Sequence, residues 1–241
     1  MRIQLTLEYN GKNYCGWQRQ QNGVSVQQKV EEALFALCQT PITITGASRT
    51  DAGVHALCQV AHFDATASIP PEKYAWALNT KLPRDIRCVQ SCLAAEDFHA
   101  RFMAKSKIYC YTVCNRPHAS ALYNSYHFYH PLDVEAMQSA AACLVGTHDF
   151  AAFRAAGSDG KTTVRTIYSA KISRENDFVT ITVHGNGFLY NMVRIIAGTL
   201  CYIGCGMLPT NAMQRMLETK NRTLGGPTAP PEGLTLQKIY Y

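Results

Sequence analysis

The chain lacks several features, and each absence narrows what it can be. It has ten cysteines, at 15, 38, 58, 88, 92, 110, 114, 143, 201 and 205, yet no Cys-x-x-Cys. Zinc sites usually pair their ligands more tightly, and no regular histidine spacing accompanies the three Cys-x-x-x-Cys pairs. The thiols are therefore expected to be buried and reduced, with no metal. A membrane-spanning run is missing too. The longest nearly apolar stretch, Ile195 to Leu208, is broken by Thr199 and three glycines, where a spanning helix needs about 20 residues. The glycines match neither a dinucleotide nor a P-loop fingerprint, so no phosphate-bearing cofactor is expected. Met1 to Leu5 opens as an alternating strand rather than a leader, which points to a soluble cytoplasmic protein with no membrane partner. Charged residues make up only 17% of the 241 residues and apolar ones 47%. That composition is globular, with enough chain for one large domain or two fused small ones. The net charge of +6 is mild and compatible with a polyanionic partner.

The periodicities alternate between strand and helix. Ile3, Leu5, Leu7 and Tyr9 recur at every second position, and Ser25 caps a helix whose face carries Val30, Ala33, Leu34 and Leu37. Strands are expected at 42–45, 59–63, 85–94, 107–113, 162–173, 178–184 and 234–240. Further helices are expected from Ser68 and Pro70 through Leu78, over 134–144 behind Asp133, over 189–202 and over 211–218. The pattern predicts an α+β fold with a mostly antiparallel central sheet flanked by helices and shared by two similar halves. The halves are placed at residues 1–104 and 105–241.

Residues 48 to 56, Ser-Arg-Thr-Asp-Ala-Gly-Val-His-Ala, gather a carboxylate, a guanidinium, a hydroxyl and an imidazole between two strand-like segments. A carboxylate set on a loop by a rigid scaffold suits nucleophilic or acid–base chemistry, and Gly53 lets the chain turn beside Asp51. Taken alone, the string is also an ordinary turn. Four other segments stand out. Residues 9–20 interleave aromatics, amides and cations, which suits either base stacking or a hairpin whose Trp17 plugs the core. In 98–111, three cations precede Tyr109 and Tyr111 on one strand face. Residues 146–154 pack two phenylalanines in a loop or helix start. Residues 185–194 form a glycine-rich turn into a helix, and Arg194, beside an apolar run, is a surface residue or a buried partner for a carboxylate.

Together these segments resemble the TruA family of tRNA pseudouridine synthases across essentially the whole chain. The resemblance rests on Tyr9-x-Gly11, Gly16-Trp17-Gln18-x-Gln20, Arg49-Thr50-Asp51-x-Gly53-Val54-His55-Ala56 and Leu82-Pro83-x-Asp85-Ile86. It continues through Phe98-His99-Ala100-Arg101-Phe102, Lys107-x-Tyr109-x-Tyr111, His148-Asp149-Phe150, Met192-Val193-Arg194 and Pro231-Glu232-Gly233-Leu234-x-Leu236. Ser48 departs from the glycine common in such proteins. The resemblance implies isomerisation of uridine at positions 38, 39 and 40 of the tRNA anticodon stem-loop, without a cofactor, by a homodimer. Asp51 would be the catalytic carboxylate and Arg194 its pairing cation, which favours the ionised form. Arg49 would hold the space left by the extruded base, Tyr109 would stack on the uracil and help move its C5 proton, and Leu234 would form an apolar wall. Arg101, Lys105, Lys107 and Arg19 would contact phosphates, and His55 would be a hydrogen-bonder within the loop. Two other functions remain open on the residues alone. One is an RNA-binding module without catalysis. The other is a nucleoside hydrolase using a second carboxylate, Asp64 or Asp149.

Overall fold

The computed structural model describes residues 1–65, 69–117, 119, 124–157 and 162–241. Ser68, expected to start a helix, lies outside them. The chain forms two compact units, Met1–Lys105 with Thr235–Tyr241, and Ser106–Leu234.

In the first unit the strands run in the order β4 (Ile86–Leu93), β1 (Arg2–Tyr9), β3 (His55–Asp64), β10 (Leu234–Tyr240), with β2 (Thr45–Gly46) also on β3. β1 is antiparallel to both neighbours, while β10 joins β3 in parallel, with Thr235 opposite His55. The last residues thus return from the end of the chain to the first unit. The alternation read in β1 is present, since Ile3, Leu5 and Leu7 are fully buried. Helix α1 (Val26–Cys38) begins where Ser25 Oγ accepts from Gln28 N at 3.1 Å, and it buries Val30, Ala33 and Leu34. The strand expected over 42–45 shrinks to a short pairing at Thr45 and Gly46. The cause is local. Ile44 N donates to the Glu31 carboxylate at 3.2 Å and Ile44 O accepts from Gln27 Nε2 at 3.1 Å. Side chains of α1 occupy the backbone groups a ladder would use. Helix α2 (Tyr74–Asn79) covers the β4 edge, because Asn79 both donates to Cys88 O and accepts from Cys88 N, at 2.8 and 2.9 Å.

In the second unit the order is β5 (Ser106–Cys114), β9 (Phe178–Gly185), β8 (Val164–Glu175), β7 (Gly146–Asp149), antiparallel throughout, with short β6 (Tyr126–His127) parallel on β5. Helix α3 (Val134–Ala141) is capped as expected, Asp133 Oδ1 accepting from Ala136 N at 3.0 Å, and tightens into a 3-10 turn before Gly146. Helix α4 (Met192–Gly204) starts three residues later than the apolar pattern suggests, because Asn191 sits in the left-handed region at φ 59°. Gly198 lets residues 225–229 lie against α4, since a Cβ there would be 1.8 Å from Pro227 O. Helix α5 is Ala212–Thr219. Both units are therefore α+β, each with a mostly antiparallel sheet.

His62 of β3 adds a pH dependence to the first unit. Its Nδ1 accepts from Ala100 N at 3.2 Å, which requires that nitrogen to be unprotonated. Burial, then the charges of Arg2 and His99, hold its pKa below the ordinary 6.5. Below that value the unfolded chain takes up a proton that the folded one resists. This contribution is complete above pH 6.5 and is lost as pH falls through the depressed native value. Urea unfolding of the wild type should therefore weaken on acidification more than that of His62→Asn. The excess should be no more than about 1.4 kcal/mol per pH unit for one group. Parallel pH profiles for the two proteins would refute this.

Candidate active site

Asp51 is half-buried and belongs to the first unit. Its loop is held by residues 9–17 and by β3. The backbone of Asp51 bridges to Gly16, Trp17 N donates to Thr50 O at 3.0 Å, and Gly53 N donates to Tyr14 O at 3.3 Å. The loop closes on itself through Val54 N to Asp51 O at 3.1 Å, with Gly53 at φ +79°. Gly16, at φ +110°, leaves room for Thr50 O, which a Cβ would approach to 2.6 Å. Side chains complete the frame. Tyr9 Oη and Thr50 Oγ1 share a buried hydrogen bond of 2.7 Å, and Gln59 both accepts from Ser48 N and donates to Ser48 O, at 3.2 and 2.6 Å. His55 Nδ1 accepts from Gly11 N at 3.0 Å, and the ring is buried. His55 is thus a hydrogen-bonder that ties the loop to the first turn of the chain.

This frame decides between the two readings of residues 9–20. The aromatics of 9–20 do not wait for bases, since Tyr9, Tyr14 and Trp17 are 5%, 8% and 2% exposed. Trp17 lies on Gly46, where a Cβ would be 2.3 Å from its Nε1, and faces Tyr9 at 6.1 Å between ring centres. Tyr14 Oη donates to Asp85 Oδ1 at 2.6 Å, and burial followed by that bond pushes its phenol pKa up. The segment is the scaffold of the Asp51 loop. The bond from Tyr9 to Thr50 in the loop is what sequence reading missed, since an alternating strand tyrosine signals only core.

Arg49, two residues before Asp51, is exposed. Arg101 and Lys105 are exposed as well, Arg101 lying 6.0 Å above the Phe102 ring. Arg19 is paired with the nearly buried Glu31 at 3.2 Å, so part of its charge is already compensated within the protein.

The second unit carries the other residues. Tyr109 in β5 is 6% exposed and stands edge-on to Phe188, with ring centres 5.1 Å apart and planes at 83°. Phe188, at the turn after β9, lies in the 185–194 segment, which the sequence singled out without giving this ring a role. Tyr111, on the same strand face, is committed to the core. Its Oη donates to Pro230 O at 2.7 Å, and burial drives its phenol pKa far up. Lys107 lies opposite Gly185 in the β5–β9 ladder. Arg194 occupies the first turn of α4, with Nε donating to Ala229 O at 2.7 Å and Nη1 to Asn191 Oδ1 at 2.8 Å. A cation at a helix N-terminus opposes the helix dipole, and these acceptors offset part of that cost. Leu234 is buried at the end of this unit.

The second carboxylates that a hydrolase would need are engaged elsewhere. Asp64 is held by both oxygens to Arg2 at 2.9 Å, and Asp149 by Lys220 at 2.6 Å together with Thr163 and Ala151 N. The Arg2 bond and the Lys220 bond, respectively, lower their pKa values. A glycosidase acid needs the opposite shift.

Residues 6–103 and 140–241 match the family described as tRNA pseudouridine synthase. The chain is 46% identical over 241 residues to the tRNA pseudouridine synthase A of Thermoanaerobacter sp. (strain X514), covering 99% of each protein. It is 47% identical over 243 residues to the protein of that name from Ruminiclostridium cellulolyticum, covering 100% of this chain and 99% of the other. Among solved structures, the archaeal box H/ACA sRNP Nop10–Cbf5 complex aligns with 83% of this chain and 44% of its own at 8% identity and TM-score 0.38, too loosely to inform fold or function. The chain belongs to the family of tRNA pseudouridine synthases.

Proposed function

We propose that this isomerase converts uridine to pseudouridine at positions 38, 39 and 40 of the tRNA anticodon stem-loop, with Asp51 as nucleophile. The observation that carries the reading is the Asp51 loop itself. A half-buried aspartate sits on a loop fixed by a buried hydrogen-bonded frame, as a nucleophile requires. A protein that only bound RNA would gain nothing from presenting an anion to phosphates.

The chemistry assigns the remaining groups. The target uridine leaves its stack, and Arg49, two residues before Asp51 in the loop, holds the vacated space. Asp51 attacks at the ribose C1′ or at uracil C6, the base detaches, turns and rejoins the ribose through C5, and the C5 proton leaves. Arg194 favours the ionised carboxylate. Tyr109, oriented by Phe188, stacks on the uracil with Leu234 as the opposite wall. Arg101, Lys105, Lys107 and Arg19 contact backbone phosphates. The product is an isomer of the substrate, so no co-substrate is consumed. The working form is a cytoplasmic homodimer, which doubles the modest +6 charge along one RNA.

Pseudouridine mapping by carbodiimide adducts and primer extension on an unmodified tRNA transcript tests this reading. Signal should arise at 38, 39 or 40 and nowhere else; signal in another arm would refute the positional assignment.

Two substitutions probe the supporting groups. Tyr9→Phe keeps the ring but loses the bond to Thr50. The turnover number should fall about ten- to a hundredfold from misplacement of the loop, with KM for tRNA little changed. A stability loss of about 1 kcal/mol accompanies it. A raised KM at full turnover would assign Tyr9 to binding instead. Tyr109→Phe retains stacking, so a defect in release of the C5 proton would point to the hydroxyl as proton carrier. Wild-type turnover would show that the hydroxyl is dispensable.

A further inference from the structure

Two arginines of the second unit have no carboxylate partner among the described residues. Arg165, near the start of β8, is half-buried, and its Nη1 donates to the carbonyls of Thr162 and Val164 at 3.1 and 2.6 Å. Arg222 opens a 3-10 turn, Arg222–Leu224, and is also half-buried. Among the described residues neither guanidinium has a carboxylate partner, and Arg222 has no side-chain hydrogen bond. Burial alone pulls both pKa values down. A desolvated cation without an anion costs stability unless something supplies the anion.

Their placement indicates what does. The Arg165 side chain lies over the turn that follows β9, and a Cβ built at Gly187 would be 3.6 Å from its Nε. That turn holds Phe188 against Tyr109 and is tied to β8 through Asn186, whose N donates to Thr166 O and whose Oδ1 accepts from Thr166 N, at 2.9 and 3.0 Å. Arg165 therefore stands beside the ring pair assigned to the uracil. Arg222 belongs to the same end of the unit. Lys220, two residues earlier, holds Asp149 at 2.6 Å, and Asp149 faces Val164 in the β7–β8 ladder, one position from the His148–Arg165 pair.

We propose that Arg165 and Arg222 form a phosphodiester-binding pair for the RNA strand that carries the target uridine. The inference rests on the function proposed above and adds two residues to its substrate contacts. With Nη1 spent on carbonyls, the Nε and Nη2 edge of Arg165 is the part of the planar fork that takes two phosphate oxygens.

The test is filter binding of the full-length protein to a tRNA transcript across a potassium chloride series. The doubly substituted Arg165→Gln/Arg222→Gln protein should bind about tenfold more weakly at ~0.1 M salt. Its plot of log affinity against log salt should be shallower by about two, one per lost phosphate contact. An unchanged slope overturns the proposal. Modification of the wild-type protein by an arginine-specific dicarbonyl, read by mass spectrometry, avoids any folding defect of the variants. Both arginines should be protected by tRNA, and equal labelling with and without RNA overturns the pairing. Pseudouridine formation by the wild type on the same transcript reports separately on the proposed function, so the two failures are distinguishable.

Discussion

Asp51→Asn is expected to reduce pseudouridine formation by at least about a thousandfold, the scale of losing a nucleophile. The amide is nearly isosteric with the carboxylate. The bonds that fix the loop run through the backbone of Thr50, Asp51 and Gly53 and through the side chains of Thr50, His55 and Gln59, so they survive the change. Affinity for tRNA and melting temperature should stay close to wild type. Single-turnover conversion of a tRNA transcript by the two proteins at equal saturation measures the effect. A variant that converts uridine at the normal rate contradicts the nucleophile assignment, and one that no longer binds tRNA makes Asp51 a binding residue.

Arg194→Ala is expected to cost about a hundred- to a thousandfold in turnover and only about threefold in tRNA affinity. Arg194 stands at the unfavourable end of α4 for a cation, held by the Ala229 carbonyl and the Asn191 side chain. A cation held there is well placed to serve an anion. The anion proposed for it above is the Asp51 carboxylate. Arg194→Lys keeps the charge but not both bonds of the fork, and it should recover part of the rate. Full turnover combined with weak tRNA binding would place Arg194 on the RNA backbone instead.

Much of this molecule is legible in its sequence where a local rule acts alone. Ser25 and Asp133 cap the helices that their spacing predicts, and β1 buries every second residue, because caps and alternation depend on neighbours a few positions away. The failures share a physical cause. Ile44 reads as strand, but its backbone groups are bonded by Glu31 and Gln27 of a helix, which no local pattern reveals. Residues 9–20 have no apolar period, so Tyr14 and Trp17 read equally well as base platforms. Their burial is set by Asp85 and Gly46, distant in sequence. Among the candidate residues, the Asp51 loop, Tyr109 and Arg194 stand out from their residue types and motif. Phe188 and Tyr9 do not, because a ring's role depends on which ring or hydroxyl it meets. Arg165 and Arg222 are noticeable only once their partners can be searched in space.

The most direct test of the central claim uses a tRNA transcript labelled with tritium at C5 of its uridines, incubated with the wild-type protein. Isomerisation through C5 predicts that tritium appears in water in proportion to the pseudouridine formed, with no free uracil. Free uracil would mean hydrolysis, and tRNA binding with no tritium release would mean an RNA-binding protein without catalysis; either result contradicts the account.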